Sequence, residues 1–105
     1  MSIVYLIGYM GSGKSTAGIQ LASKLGFEFV DMDKYIETEQ KKTISQLFEE
    51  QGEDAFRLIE HNTLRRLSEK RNTVISCGGG TPCFYDNMQI MNDSGVTVYI
   101  QLDLD

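Results

Sequence analysis

A glycine-rich run that directly follows an apolar segment constrains the fold of this chain more than any other feature. The run spans residues 8–16, reads GYMGSGKST and satisfies the pattern G-x-x-x-x-G-K-[ST], and the apolar segment before it spans residues 3–7. In such a loop the glycines let backbone N–H groups turn inward around an anion, the lysine reaches the outer phosphates and a hydroxyl can bind magnesium. The pattern predicts a buried strand, a phosphate-binding loop and a helix, in that order. The residues expected to bind nucleotide are Gly11, Ser12, Gly13, Lys14, Ser15 and Thr16.

Strand and helix patterns alternate along the rest of the chain. The predicted strands span residues 3–7, 27–31, 73–77 and 96–102, and the predicted helices span residues 14–25, 33–41, 43–50, 54–70 and 84–92. Gly26 stands where the first helix should end, and Gly52 separates the third helix from the fourth. The alternation predicts one α/β domain, residues 1–105, with a parallel sheet and flanking helices.

Composition narrows the classes of partner. The net charge of −5 argues against nucleic acid and against an anionic membrane surface, and no apolar run is long enough to cross a bilayer. The first residues lack the pattern of a signal peptide, so we expect a cytoplasmic protein. Cys77 and Cys83 are too few for a disulfide framework, and we expect both to be reduced, packing thiols. Neither they nor His61 has a partner at metal-ligand or catalytic spacing, so we assign them no catalytic role.

Two aspartates follow the second predicted strand. Ligands of an open parallel sheet bind beyond the carboxyl ends of its strands, so residues at this position are candidate site residues. Asp31 and Asp33 are two residues apart, a spacing that puts both carboxylates on the same side of an extended chain. They could divide metal binding and substrate binding between them. The alternative for Asp33 is that it only caps the helix that follows.

An arginine–glutamate pair and a glycine turn are further candidates. Arg57 and Glu60 share one helical face at i,i+3, where a weak surface ion pair is the ordinary interpretation. A guanidinium also suits bidentate binding of a carboxylate, and the nearby phosphate loop and aspartates favour that function. Gly78, Gly79 and Gly80 follow the third strand and could approach a small polar ligand with their N–H groups, although a loose turn is the alternative.

Taken together, these segments resemble the shikimate kinase family. The phosphate loop, FVDMD at residues 29–33, FRLIE at residues 56–60 and the three glycines occur in family order and at family spacing. The resemblance implies a P-loop kinase fold of the nucleoside monophosphate kinase type. It also implies transfer of the γ-phosphoryl group of ATP to the 3-hydroxyl of shikimate, a step of aromatic amino acid biosynthesis that uses Mg²⁺.

On the nucleotide side, the resemblance assigns a role to three residues. Lys14 would contact the transferred phosphate, Ser15 would bind magnesium, and Asp31 would support the metal through water.

On the substrate side, the resemblance implies that Asp33 holds the shikimate hydroxyls and orients or deprotonates the reacting one. Arg57 would bind the carboxylate and Glu60 would steady that arginine. Gly79, within the turn of residues 78–80, would contribute backbone contacts.

The family's fifth strand, its mobile lid with an arginine, a second carboxylate-binding arginine and an adenine-binding loop all lie beyond Asp105. The chain therefore resembles the amino-terminal portion of a shikimate kinase, truncated after the fourth strand. We expect the complete enzyme to be a monomer, while the open edge of the last strand allows association of this fragment. Two alternatives stay open: another small-metabolite kinase of the gluconate kinase type, and a chain that binds ATP and shikimate with negligible turnover.

Overall fold

The computed structural model describes residues 3–8, 14–78 and 80–100. Its elements in chain order are β1 (Ile3–Gly8), α1 (Lys14–Leu25), β2 (Glu28–Asp31), α2 (Met32–Gln40), α3 (Ile44–Leu67), β3 (Thr73–Ser76), a 3₁₀ turn (Thr81–Cys83), α4 (Asn87–Ser94) and β4 (Val96–Ile100). The strands form one parallel sheet in the order β2-β3-β1-β4. The predicted α/β class with a parallel sheet is confirmed, and the first three strands differ by one residue from their predicted bounds.

β1 lies inside the sheet, between β3 and β4. Its register pairs Ile3 with Thr73 of β3 and Val4 with Val96 of β4. Successive side chains of β1 enter two different cores, because side chains alternate across a strand. Tyr5 packs with residues of α2, α3 and α4, whereas Leu6 packs with residues of α1. Both faces of the sheet are therefore covered, as the continuous apolar run predicts.

The start of α2 differs from the prediction. The helix begins at Met32, and Asp31 is its N-cap, with Oδ1 accepting a hydrogen bond from the backbone N–H of Lys34 at 3.3 Å. Asp33 lies in the first helical turn. The prediction of two carboxylates on one side of an extended chain is thus wrong, and so is the alternative that Asp33 is the cap, because a cap at Asp31 starts the helix earlier.

α3 contains the two helices predicted on either side of Gly52. Its range, Ile44–Leu67, is interrupted by a kink at Gly52, whose φ of 88° and ψ of 170° are not helical. Glycine tolerates a positive φ without a steric cost, and the predicted break at Gly52 is confirmed. Thr43 and Gln46 form a capping box at the amino end.

No helix in the described part of the chain is long and apolar enough to span a membrane.

The segment between β3 and α4 contains the largest departure from the predicted elements. A helix was expected from residue 84, but Phe84 is extended and Tyr85 has a φ of 54°, which a right-handed helix cannot contain. The chain instead makes the 3₁₀ turn with Pro82 near its start, and α4 begins at Asn87. This segment folds back onto α3 and forms part of the candidate site.

β4 is an edge strand in the described part of the chain, where its only partner strand is β1. The side chains of Val96, Val98 and Tyr99 are exposed. The predicted continuation of this strand to residue 102 lies outside the described residues. Association through this edge stays a prediction.

Both cysteines are free thiols. Cys77 is buried in the core that contains Tyr5, as expected for a packing residue. Cys83 is exposed, so its predicted packing role is wrong. The reason is local: the 3₁₀ turn buries Thr81 instead.

Candidate functional site

The candidate site lies beyond the carboxyl ends of β2 and β3, where α2, α3 and the glycine turn meet. A Cβ atom built on Gly78 would lie 3.5 Å from Oδ1 of Asp33 and 3.7 Å from Oε2 of Glu60. A Cβ atom built on Gly80 would lie 3.0 Å from Nη2 of Arg57. The fold therefore brings these three charged side chains to a turn that has no side chains of its own.

Arg57 is held on several sides, and one of its nitrogens is buried without a partner in the described part of the chain. Nη1 donates to Oε1 of Glu60 at 3.1 Å, and Nη2 lies 3.5 Å from Oε2 of the exposed Glu53. The Cζ atom lies 4.1 Å from the ring centroid of Phe84 and 5.3 Å from that of Phe56, within cation–π range. The buried Nε atom has no hydrogen-bond partner among the described residues. A buried N–H without a partner is rare in proteins, so an acceptor from a ligand would fit here.

Glu60 is buried, and each of its two carboxylate oxygens accepts a hydrogen bond. Only 1% of Glu60 is exposed. Oε1 accepts from Arg57, and Oε2 accepts from the hydroxyl of Thr81 at 2.7 Å. A carboxylate is retained in a protein interior only when it is paired and hydrogen-bonded. The interpretation of this pair as an ordinary surface ion pair is therefore wrong.

The two aspartates occupy different positions. Asp31 ends β2, where it lies in register with Ser76 of β3, and its carboxylate caps α2. Asp33 lies in the first turn of α2, near the positive end of the helix dipole, and its Oδ1 is close to Gly78. The two carboxylates therefore occupy different positions at the amino end of α2, Asp31 as the N-cap and Asp33 within the first turn.

The predicted phosphate loop is only partly described. β1 ends at Gly8 and α1 begins at Lys14, so the predicted strand and helix on the two sides of the loop are confirmed. Lys14, Ser15 and Thr16 form the first turn of α1. The loop residues Gly11, Ser12 and Gly13, and also Gly79, lie outside the described residues.

Several residues of the site were not predicted from the sequence. Thr81, Phe84 and Asn87 all belong to the segment after the glycine turn, where a helix from residue 84 had been expected. The position of Thr81 directly after that turn was the one available signal, because it had to lie near the same sheet edge. The sequence assigns no catalytic role to His61, but its Nδ1 lies 2.7 Å from Oδ1 of Asn87.

A separate groove of about 580 Å³ lies between α1 and α2. Its lining is mostly apolar and includes Phe29, Tyr35 and the capping Asp31. Asp33, Arg57 and Glu60 are not among its lining residues. We therefore do not assign this groove to the candidate site.

The parallel sheet in the order β2-β3-β1-β4 and the loop motif between β1 and α1 define the class: an α/β fold of the P-loop kinase type. The shikimate kinase family model matches residues 10–105, and the chain belongs to that family.

Curated relatives agree with this assignment. The chain is 50% identical to a shikimate kinase of Parabacteroides distasonis over 105 residues, which cover 100% of the chain and 61% of the relative. It is 50% identical over 102 residues to a shikimate kinase of Bacteroides thetaiotaomicron, covering 97% of the chain and 58% of the relative. The chain thus spans about three fifths of the length of these relatives.

Solved structures are similar as well. A shikimate kinase from Bacteroides thetaiotaomicron superposes with a TM-score of 0.91 at 51% identity, covering 93% of this chain and 56% of that one. A shikimate kinase from Acinetobacter baumannii in complex with shikimate superposes with a TM-score of 0.94 at 37% identity, covering 98% and 57%. A gluconokinase from Sinorhizobium meliloti has a TM-score of 0.58 at 18% identity, a likeness of fold alone.

Proposed function

We propose that this chain supplies the phosphate-binding and shikimate-binding parts of an enzyme that transfers the γ-phosphoryl group of ATP to the 3-hydroxyl of shikimate. The observation that carries the proposal is the buried Nε of Arg57, which has no partner among the described residues and lies beside the buried Glu60, in a chain of the shikimate kinase family. A cationic donor facing a turn without side chains suits a small anionic substrate.

Arg57 binds the carboxylate of shikimate. Nε and Nη2 lie on one edge of the planar guanidinium and can donate two parallel hydrogen bonds to one carboxylate. Nη1 is already committed to Glu60, which fixes the plane of the guanidinium. Glu60 therefore acts through Arg57 rather than on the ligand.

Asp33 binds the hydroxyl groups and accepts the proton of the 3-hydroxyl as it attacks the phosphate. Its Oδ1 faces the glycine turn, on the same side as Glu60. Gly78, Gly79 and Gly80 let the substrate approach the backbone, because a side chain at Gly80 would touch Arg57. Alignment of substrate and phosphate provides most of the catalysis in this type of reaction.

The nucleotide binds at the amino end of α1. Backbone N–H groups of the loop and the helix dipole favour the phosphates. Lys14 carries the positive charge that contacts the transferred phosphate. The remaining nucleotide-binding residues of this proposal are Gly11, Ser12, Gly13, Ser15 and Thr16.

Ser15 and Asp31 would hold Mg²⁺, which neutralises charge on the phosphate oxygens when it is bound. Both side chains provide an oxygen atom as a metal ligand, the kind of ligand that this ion prefers. Asp31 fits a contact through water, because its Oδ1 accepts the Lys34 N–H and the carboxylate is thereby held at the end of β2.

The same proposal covers partners and location. We expect no nucleic acid or membrane partner, a monomeric complete enzyme and a cytoplasmic setting, in line with the net charge of −5 and the two free thiols.

The test uses two proteins. One is the 105-residue chain, and the other, which we name the extended chain, joins it to the remaining carboxy-terminal segment of the Bacteroides thetaiotaomicron relative. ADP release is followed in a coupled assay with shikimate, with gluconate and with neither, and the product is identified by ³¹P NMR. We expect shikimate-dependent ADP release and shikimate 3-phosphate from the extended chain, and none from its Lys14→Ala variant.

We expect the 105-residue chain alone to be slower by about 10³-fold or more, since an arginine delivered to the phosphate contributes 10³ to 10⁵ in related enzymes. ADP release that depends on gluconate and not on shikimate would contradict the proposal.

A further inference from the structure

A series of hydrogen bonds extends from Arg57 across the segment that follows the glycine turn, and the bonds in its middle are buried. Arg57 donates to Glu60, and Glu60 accepts from the Thr81 hydroxyl at 2.7 Å. The backbone carbonyl of Thr81 accepts from Nδ2 of Asn87 at 2.9 Å. Because the amide nitrogen of Asn87 faces Thr81, its oxygen faces His61, whose Nδ1 must donate across 2.7 Å.

The residues inside this series of hydrogen bonds, between Arg57 and His61, are closed off from water. Thr81 and Asn87 are 0% exposed, and Glu60 is 1% exposed. A buried network in which every member is satisfied holds its side chains in one arrangement, whereas a partly satisfied one rearranges. If the Thr81 hydroxyl were absent, Oε2 of Glu60 would lose the donor that it has among the described residues. The carboxylate would then turn toward the nearest other donors, which belong to Arg57.

We propose that Thr81 is a positioning residue for the substrate's carboxylate, with Asn87 as its anchor: together they hold Glu60 so that the Nε–Nη2 edge of Arg57 faces the ligand. The inference rests on the proposed function, in which Arg57 binds that carboxylate. It gives a function to the segment 81–87, which contacts α3. None of the residues that we propose to bind the substrate lies in this segment.

The direction of the effect follows from the donors of Arg57. With Nη1 held by Glu60, the edge that faces the ligand consists of two nitrogens. Nε has no partner among the described residues, and Nη2 has a long ion-pair contact of 3.5 Å with the exposed Glu53, which a ligand can replace. A Glu60 that turns toward this edge would occupy the donors that the ligand needs. Loss of the Thr81 hydroxyl should therefore weaken binding of an acid more than binding of the matching neutral ester.

The experiment compares Thr81→Val and Thr81→Ser with the unmodified 105-residue chain. Calorimetric titrations give Kd for shikimate and for shikimate methyl ester, which keeps the hydroxyls and lacks the charge. Thr63→Val is the matched control, because Thr63 is also 0% exposed on α3 and its hydroxyl donates to the backbone carbonyl of Ile59. Thermal unfolding of each variant measures stability.

We expect Thr81→Val to raise Kd for shikimate by about tenfold or more and Kd for the ester by less than about threefold. Thr81→Ser, which keeps the hydroxyl, should stay within about threefold for both ligands. Thr63→Val should lower the melting temperature without changing either Kd. Equal weakening of acid and ester by Thr81→Val, or the same Kd change in Thr63→Val, would overturn the proposal. If Thr81→Val does not fold, Thr81→Ala, which adds no volume, takes its place.

A second readout needs no ligand and separates this inference from the proposed function. The ¹⁵Nε–¹Hε NMR signal of Arg57 reports how firmly the guanidinium is held, and we expect its hydrogen exchange to be about tenfold faster in Thr81→Val and unchanged in Thr81→Ser. Failure of the unmodified chain to bind shikimate would refute the proposed function, and this signal would then decide the role of Thr81. An unchanged Arg57 signal in Thr81→Val would refute the positioning role.

Discussion

Replacing Gly80 with alanine should separate ligand binding from stability. Gly80 has a φ of −90° and a ψ of −8°, values open to any residue, so alanine introduces no backbone strain. At a compatible position, a Gly→Ala change reduces the freedom of the unfolded chain and stabilises a protein by about 0.4–1 kcal/mol. The displaced Arg57 offsets this gain through its bond to Glu60, so the free energy of unfolding should change by less than about 2 kcal/mol.

The added methyl group of Gly80→Ala contacts the guanidinium of Arg57. The added Cβ would lie 3.0 Å from Nη2 and 3.1 Å from Nη1, so the guanidinium must move by a few tenths of an ångström. It has little freedom, because Nη1 is bonded to Glu60 and Cζ lies against the ring of Phe84. A hydrogen bond to a charged group contributes about 1.5–3 kcal/mol. Loss of about 1.4 kcal/mol, between half and nearly all of one such bond, raises Kd for shikimate about tenfold.

Urea unfolding and calorimetric titration with shikimate measure the two effects on the same 105-residue chain. Gly26→Ala is the converse control, which should change stability and leave ligand binding unchanged. Gly26 has a φ of 71°, which strains an alanine, and no described atom lies within 4 Å of a built Cβ. This variant should lose about 1–2 kcal/mol of stability and keep its Kd. A Gly80→Ala chain that is less stable by more than about 2 kcal/mol and binds shikimate normally would show that the glycine serves packing and that Arg57 is not aimed at the ligand.

Two further predictions concern stability alone. Gly95→Ala should destabilise the chain by about 3 kcal/mol or more in urea unfolding, because its Cβ would lie 2.2 Å from the backbone oxygen of Ile3 and neither backbone can yield cheaply; a loss below about 1 kcal/mol would contradict that close approach. Arg66 donates two hydrogen bonds to Glu39, which lowers the pKa of Glu39 below its ordinary value. The pair's contribution to stability is therefore complete above that ordinary value and is lost as the pH falls through the lowered pKa. The exposed pair should contribute about 0.2–1 kcal/mol, so Arg66→Gln should be less stable than the unmodified chain at pH 7 and equal to it near pH ~3, and a difference that grows toward acid pH would refute the assignment.

The strands, and the helix that follows the phosphate-loop motif, could be predicted because each depends on a short, contiguous pattern. An apolar run marks a covered parallel strand, and the glycine–lysine motif needs a strand before it and a helix after it. The geometry between Asp31 and Asp33 could not be predicted from their spacing. It depends on which of the two caps α2, a choice between neighbours with the same side chain.

The polar network could not be predicted for a different reason. The bond from Thr81 to Glu60 joins residues 21 positions apart. Thr81 is placed by a 3₁₀ turn that ends at Cys83, and the extended Phe84 and left-handed Tyr85 delay the start of α4 to Asn87; periodicity encodes none of these. The burial of Glu60 follows from the same turn, so the sequence alone could not distinguish a surface ion pair from a buried one.

The most direct test of shikimate recognition is a pair of KM values, for shikimate and for ATP, in the extended chain with and without Arg57→Lys. Lysine keeps the charge and loses the fork of parallel donors. We predict that the KM for shikimate rises at least about tenfold, on the order of 1.4 kcal/mol, while the KM for ATP barely changes. An equal rise in both KM values, or no rise for shikimate, would contradict the assignment of Arg57 to the substrate's carboxylate.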